Sequence, residues 1–126
     1  MAEQSMTTAN DGLKQELIEQ FGTPCAVIDL DVVDQNIAKL QSLCDAAGLA
    51  NRPHIKTHKS PVLARRQIDA GAVGITCQKL GEAEVMAEAG IEDILIATNI
   101  IGAARSGRLA ALQRRLPLKI CADNPV

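Results

Sequence analysis

An Ala-Gly pair recurs at Ala47-Gly48, Ala70-Gly71 and Ala89-Gly90, each time closing a helix-like stretch and preceding a segment that reads as a strand. This punctuation constrains the fold more than any other feature of the chain. Glycine just past a helix takes the left-handed conformation that ends it without steric cost. The first of these helices reads from Asp31 as N-cap, with Val33, Ile37, Leu40, Cys44 and Ala47 on one face. Ser60-Pro61 supplies an N-cap and a first-turn proline for the next, which Gly71 ends. Leu80 to Ala89 is closed by Gly90, and Ala103 to Leu116 is stopped by Pro117. The runs Pro24–Leu30, Arg52–Thr57, Val73–Gln78, Asp93–Thr98 and Leu118–Ala122 read as strands. Strands alternating with helices over short loops predict an α/β fold with a parallel sheet, and near-continuous apolar strands fit a sheet covered by helices.

Residues Met1 to Asn10 are polar and read as a frayed tail, followed by a short helix from Leu13 to Phe21 that Gly22 ends. We therefore divide the chain into a tail and short helix over 1–22 and a barrel-like part over 23–126. A closed (β/α)8 barrel of the TIM type takes about 250 residues. The 126 residues here hold roughly half of one. They stop directly after a strand, at Asp123-Asn124-Pro125-Val126, which reads as a truncated chain with open sheet edges that should self-associate.

Composition removes several function classes. One Phe, no Trp and no Tyr leave nothing on which single-stranded nucleic acid could stack. A net charge of −2 gives no basic footprint for nucleic acid or an anionic membrane. The four cysteines form no Cys-x-x-Cys pair. Three of them sit in apolar segments that read as buried, so a reduced, cytoplasmic protein is expected rather than a disulfide framework. The N-terminus has no basic start with an apolar run, and no apolar stretch approaches the roughly 20 residues of a membrane helix. Gly102 to Gly107 lacks both the Gly-x-Gly-x-x-Gly spacing and the P-loop lysine, and no Gly-x-Ser-x-Gly elbow occurs.

The chemistry concentrates in Arg52-Pro53-His54-Ile55-Lys56-Thr57-His58-Lys59, which holds both histidines of the chain. Pro53 disfavours a helix here. On a strand, His54, Lys56 and His58 share one face. The two histidines would then lie roughly 13 Å apart, too far to chelate one ion, and no metal site is assigned. A lysine held inward and flanked by imidazoles is suited to Schiff-base chemistry, because desolvation and nearby cations free its amine. Its carbonyl partner is a substrate or pyridoxal phosphate. The alternative is a lysine whose ammonium reaches out to solvent. Gln78-Lys79, Thr98-Asn99 and Asp123-Asn124 stand at the other strand ends, where parallel α/β folds gather reactive groups.

Thr23-Pro24, Asp29-Leu30-Asp31, Asn36, the 52–59 block and Cys77-Gln78-Lys79-Leu80-Gly81-Glu82-Ala83-Glu84 together resemble the D-threonine aldolase / D-serine dehydratase family, from about Thr23 to the last residue. These are fold-type III pyridoxal phosphate enzymes with an alanine-racemase-like N-terminal barrel. The resemblance implies that Lys56 is the catalytic lysine bound to pyridoxal 5′-phosphate as its aldimine. It places His54 and Gln78 against the cofactor and gives His58 a catalytic part in proton traffic or substrate placement. It implies a lyase acting on small D-3-hydroxy amino acids by retro-aldol cleavage, or alternatively a D-serine-dehydratase-type elimination. It assigns Pro24–Leu30 to a second, β-rich domain and starts barrel counting at Arg52, so four barrel strands are expected. A divalent metal and a homodimer belong to the full-length family, whose phosphate loops and metal ligands lie beyond Val126. A reading of another class is a non-catalytic half-barrel that needs a missing C-terminal half. A racemase or a cofactor-homeostasis protein would need other residues than the paired histidines.

Overall fold

The computed structural model describes residues 2–123, and side chains from 11 onward. It falls into two compact units, Met1–Leu30 and Asp31–Val126. In the first, helix α1 runs over Ala2–Phe21, so it begins well before the expected Leu13. Gly22, at φ 75°, ends it as expected and donates its N–H to the Ile18 carbonyl at 2.9 Å. Leu13, Leu17 and Ile18 share an apolar groove with Pro24, Cys25 and Val27 that follow the turn.

The expected strand over Pro24–Leu30 does not form. The stretch carries no strand pairing, and Leu30 already opens helix α2 (Leu30–Ala46). A strand exists only as half of a hydrogen-bonded ladder, and none is offered to these residues among those described. Val27 and Ile28 accordingly stand 65% and 54% exposed. Asp31 lies inside the first turn of α2 rather than at its cap. The reading of its face holds for Val33, Ile37 and Cys44, which are half-buried, but Leu40 is exposed, and Ala47 is exposed just past the helix end.

The larger unit continues with α3 (Pro61–Asp69), β1 (Ile75–Cys77), α4 (Leu80–Glu88), β2 (Ile94–Ile96), α5 (Ala103–Gln113) and β3 (Leu118–Ile120). Each lies inside the segment expected for it. The Ser60 hydroxyl caps α3 by accepting the Leu63 N–H at 3.4 Å. Gly48, Gly71 and Gly90 all take positive φ at the helix ends they were expected to close. The strands pair in parallel in the order β1-β2-β3, with Ile75, Ile94 and Leu118 in register. Ile75, Cys77, Ile94 and Ile96 are fully buried and pack with Leu80, Met86, Ile91 and Leu112 from the connecting segments and helices. The described residues thus form an open three-stranded parallel sheet with its covering helices.

Of the four cysteines, only Cys77 is buried; Cys25 and Cys121 are exposed, Cys44 is half-buried, and all four are free thiols. The buried reading of the others fails for one reason. Cys25 and Cys121 stand in segments that lack neighbours on one or both faces. Burial pushes the Cys77 thiol up to about 12, so it stays protonated within the core.

Two polar devices fix the N-terminal edge of the sheet. The Arg52 guanidinium grips both carboxylate oxygens of Asp93, at 2.8 and 3.1 Å, and Lys119 joins the same carboxylate at 2.5 Å. Gly74 runs beneath this fork at φ 152°, where an added Cβ would stand 2.3 Å from Arg52 Nη1 and 2.4 Å from the Asp93 carbonyl oxygen. Only glycine fits there. Behind it, the buried Gln41 of α2 accepts a hydrogen bond from Asn51 at 3.1 Å and donates one to Asp45 at 2.8 Å.

Candidate active site

The strand expected over Arg52–Thr57 shrinks to a single parallel bridge between His54 and Thr76. Thr76 donates its N–H to the Pro53 carbonyl at 2.8 Å, and Ile55 donates to the Thr76 carbonyl at 2.9 Å. The chain then leaves the sheet. Lys59 donates its N–H back to the Ile55 carbonyl at 2.8 Å, which closes a turn over Lys56, Thr57 and His58. Lys56 therefore lies in a turn just beyond the sheet edge, and the alternation that would put His54, Lys56 and His58 on one strand face does not apply. Ile55, with no exposed surface, pins the turn to the core. Lys56 itself is exposed and enters no ion pair among the described residues.

Both histidines point their rings back onto the local backbone. His54 Nδ1 accepts the Lys56 N–H at 3.2 Å, and His58 Nδ1 accepts the Ser60 N–H at 3.0 Å. Each bond spans two residues, the geometry by which Asx side chains brace turns. The Nε2 atoms of both rings are buried without a hydrogen-bond partner, as is Gln67 Oε1. Burial lowers the His58 pKa below the ordinary imidazole value.

Lys59 follows in the left-handed region at φ 51°, a conformation that costs a residue with a side chain of this kind. Its ammonium lies 3.5 Å from Glu82, whose side chain is only 10% exposed. Glu82 is the third residue of α4 and reaches back to accept the N–H groups of Lys79 at 3.3 Å and Gln78 at 2.8 Å. That is half of a capping box. Burial raises the Glu82 pKa, but these two N–H groups and Lys59 outweigh it and hold the carboxylate ionised below its usual range. Glu82 thus ties the loop after the Lys56 turn to the loop after β1.

A cleft of about 620 Å³ opens beside this tie, at the carboxyl ends of β1 and β2. Gln78, Lys59, Lys79, Thr98, Asn99 and Arg105 are among the residues that line it. Of the residues expected at the strand ends, the cleft gathers Lys59, the Gln78-Lys79 pair and the Thr98-Asn99 pair. Lys56, His54 and His58 are outside its lining and reach its rim only through Lys59. Asp123 is exposed, and Asn124 lies outside the described residues. Glu82 was missed as a site residue. An acidic residue three positions after a helix cap was the available signal for Glu82. No group of three or more His, Cys, Asp or Glu side chains that could hold a metal occurs among the described residues.

Known proteins align with this part of the chain. A D-threonine aldolase of Arthrobacter sp. is 41% identical over 107 residues, which are 85% of this chain and 28% of that protein. Over these residues the chain matches a fragment of the D-threonine aldolase family. A D-threo-3-hydroxyaspartate dehydratase of Delftia sp. is 42% identical over 110 residues, and a 3-hydroxy-D-aspartate aldolase of Paracoccus denitrificans is 38% identical over 107. The chain spans 28% to 29% of the length of these curated relatives. Among solved structures, D-threonine aldolase from Filomicrobium marinum superposes with a TM-score of 0.79 at 39% identity, over 81% of this chain and 28% of that one. The Delftia dehydratase superposes at 0.75 and 45% identity, over 81% of this chain and 27% of that one. No family model matches the chain. Its relatives in this family are thus lyases by name, two kinds of aldolase and one dehydratase.

Proposed function

We propose that this chain carries the lysine-bearing part of a pyridoxal phosphate-dependent lyase for D-3-hydroxy amino acids, with Lys56 as the amine that bonds the aldehyde carbon of the cofactor. The observation that carries the reading is the Lys56 turn. It presents an exposed amine, without an ion-pair partner among the described residues, on a backbone tied at Thr76, Ile55 and His54. Chain segments held this firmly lose little further freedom when a ligand docks.

When bound, pyridoxal phosphate supplies the electron sink that weakens a bond at the substrate α-carbon. The chain's own part is to hold and orient. Lys56 presents the amine, and Gln78 offers an amide at the end of β1 where the cleft begins. Lys59, Lys79 and Arg105 give the cleft a cationic lining that attracts the carboxylate of an amino acid. The divalent metal and homodimer expected of the whole enzyme remain part of this proposal. Side chains that could serve as metal ligands are not clustered among the described residues, so no step is assigned to a metal.

Cleavage between the α- and β-carbons turns D-threonine into glycine and acetaldehyde, and 3-hydroxy-D-aspartate into glycine and glyoxylate. Elimination turns the latter into oxaloacetate and ammonia. The 42% identity to a dehydratase keeps elimination as a second reading. Product analysis on the protein that contains this chain, supplied with pyridoxal phosphate and a divalent cation, separates them. Glycine with an aldehyde supports the first reading, ammonia with a keto acid the second. Turnover of the L-isomers alone would contradict both.

A further inference from the structure

The family likeness gave His58 a catalytic part and His54 a place against the cofactor. The hydrogen bonds give both rings a different employment. His-x-Lys at 54–56 and His-x-Ser at 58–60 repeat one local device, in which imidazole Nδ1 accepts the amide N–H two residues on. An imidazole nitrogen that accepts an N–H carries no proton, so the neutral ring must be the Nε2–H tautomer. In the first unit of the repeat the amide received is that of Lys56 itself. In the second it is that of Ser60, the residue that caps α3. The other edge of His58 faces Gln67, in the same helix. His58 Nε2 and Gln67 Oε1 are both buried and both without a partner at full hydrogen-bond geometry. A buried N–H donor and a buried carbonyl acceptor side by side complete each other.

We propose that His54 and His58 are positioning residues, a pair of imidazole braces that hold the Lys56 turn and fasten it to α3, and not carriers of protons. The proposal rests on Lys56 being the reactive amine only for its second test. It explains why the chain places its two histidines two residues before and two residues after Lys56. Each ring supports the backbone on one side of the lysine. It also explains why burial of His58 does no harm, since a ring that only accepts at Nδ1 and donates at Nε2 never needs a charge.

Long-range proton–nitrogen spectra of the imidazole rings, recorded on the chain without cofactor, read the tautomers directly. Both rings should be in the Nε2–H form. A ring in the Nδ1–H form, or one averaging between the two, overturns the brace at that histidine. The second test reads Lys56. The chain is treated with pyridoxal phosphate and borohydride, and labelling of Lys56 is measured against Lys59 in the same sample. His54→Ala should lower the ratio by about tenfold, and His54→Asn should restore it to within about twofold, because Oδ1 stands where Nδ1 does. His54→Gln sets its acceptor where Nε2 stands and should not restore it. Rescue by Gln and not by Asn would assign the work to Nε2 and overturn the proposal. An unlabelled Lys56 in the parent chain defeats the Lys56 reading instead, and the spectra still decide the braces.

Discussion

Asp93 shows how much of this fold hangs on single side chains. Its carboxylate takes the Arg52 fork and the Lys119 ammonium, and these hold its pKa down at about 2, below an ordinary value of 3.8. A depressed carboxylate pKa stabilises the fold above the unfolded-state value, and that contribution fades as pH falls toward the folded value. The loss attached to Asp93 therefore falls between about pH 4 and about pH 2. The side chain is 40% exposed, so solvent screening leaves roughly 1 kcal/mol or less. Denaturant unfolding of the parent and Asp93→Asn across that range checks it. The gap between them should close as pH falls, and a gap that widens would contradict the assignment. Arg52 stood in the block that the sequence singled out, yet its partner 41 residues away could not be read there. The histidine bonds were different. They are local, spanning two residues, and were overlooked because the rings were weighed as ligands and proton carriers and not as turn braces.

Helices and strands differed in how far local sequence determined them. The helices were legible because their signals are local. Ser60-Pro61 opens α3, and Gly48, Gly71 and Gly90 end the helices before them. β1, β2 and β3 were legible because helices and neighbouring strands bury them, so each reads as an apolar run. The failures were two strands. Pro24–Leu30 has strand composition and no partner, and Arg52–Thr57 has a partner at one residue only. Composition reports a preference, while a ladder needs a second chain segment. Amide hydrogen exchange should therefore be fast across 24–29 and slow in β2, which is paired on both sides. Protection of 24–29 equal to that of β2 would mean that this segment finds a strand partner after all.

At the scale of the molecule, the sheet of the described residues is open. β3 ends it with one side unpaired. Phe21, Val27, Leu43, Leu49 and Ile101 are each more than half exposed. Unpaired strand edges and exposed apolar side chains are the two features through which chains associate. Sedimentation of the 126-residue chain should show mass rising with concentration. A monomer across the micromolar range, unfolding in one cooperative step, would contradict this. The site follows the same geometry, because the Lys56 turn and the cleft that holds Gln78 both sit where strands end and helices begin. The strand-end residues were legible from the sequence for that reason. The position of Lys56 in a turn was not, because it depends on where the His54–Thr76 bridge stops.

Site-resolved trapping of the cofactor tests the central claim most directly. The chain is incubated with substoichiometric pyridoxal phosphate, reduced with borohydride, digested, and the modified lysine is located by mass. The account predicts that the label falls chiefly on Lys56, and that Lys56→Arg removes it without moving it to a neighbour. Label spread evenly over the exposed lysines, or concentrated on Lys59 or Lys79 in the cleft, would contradict it.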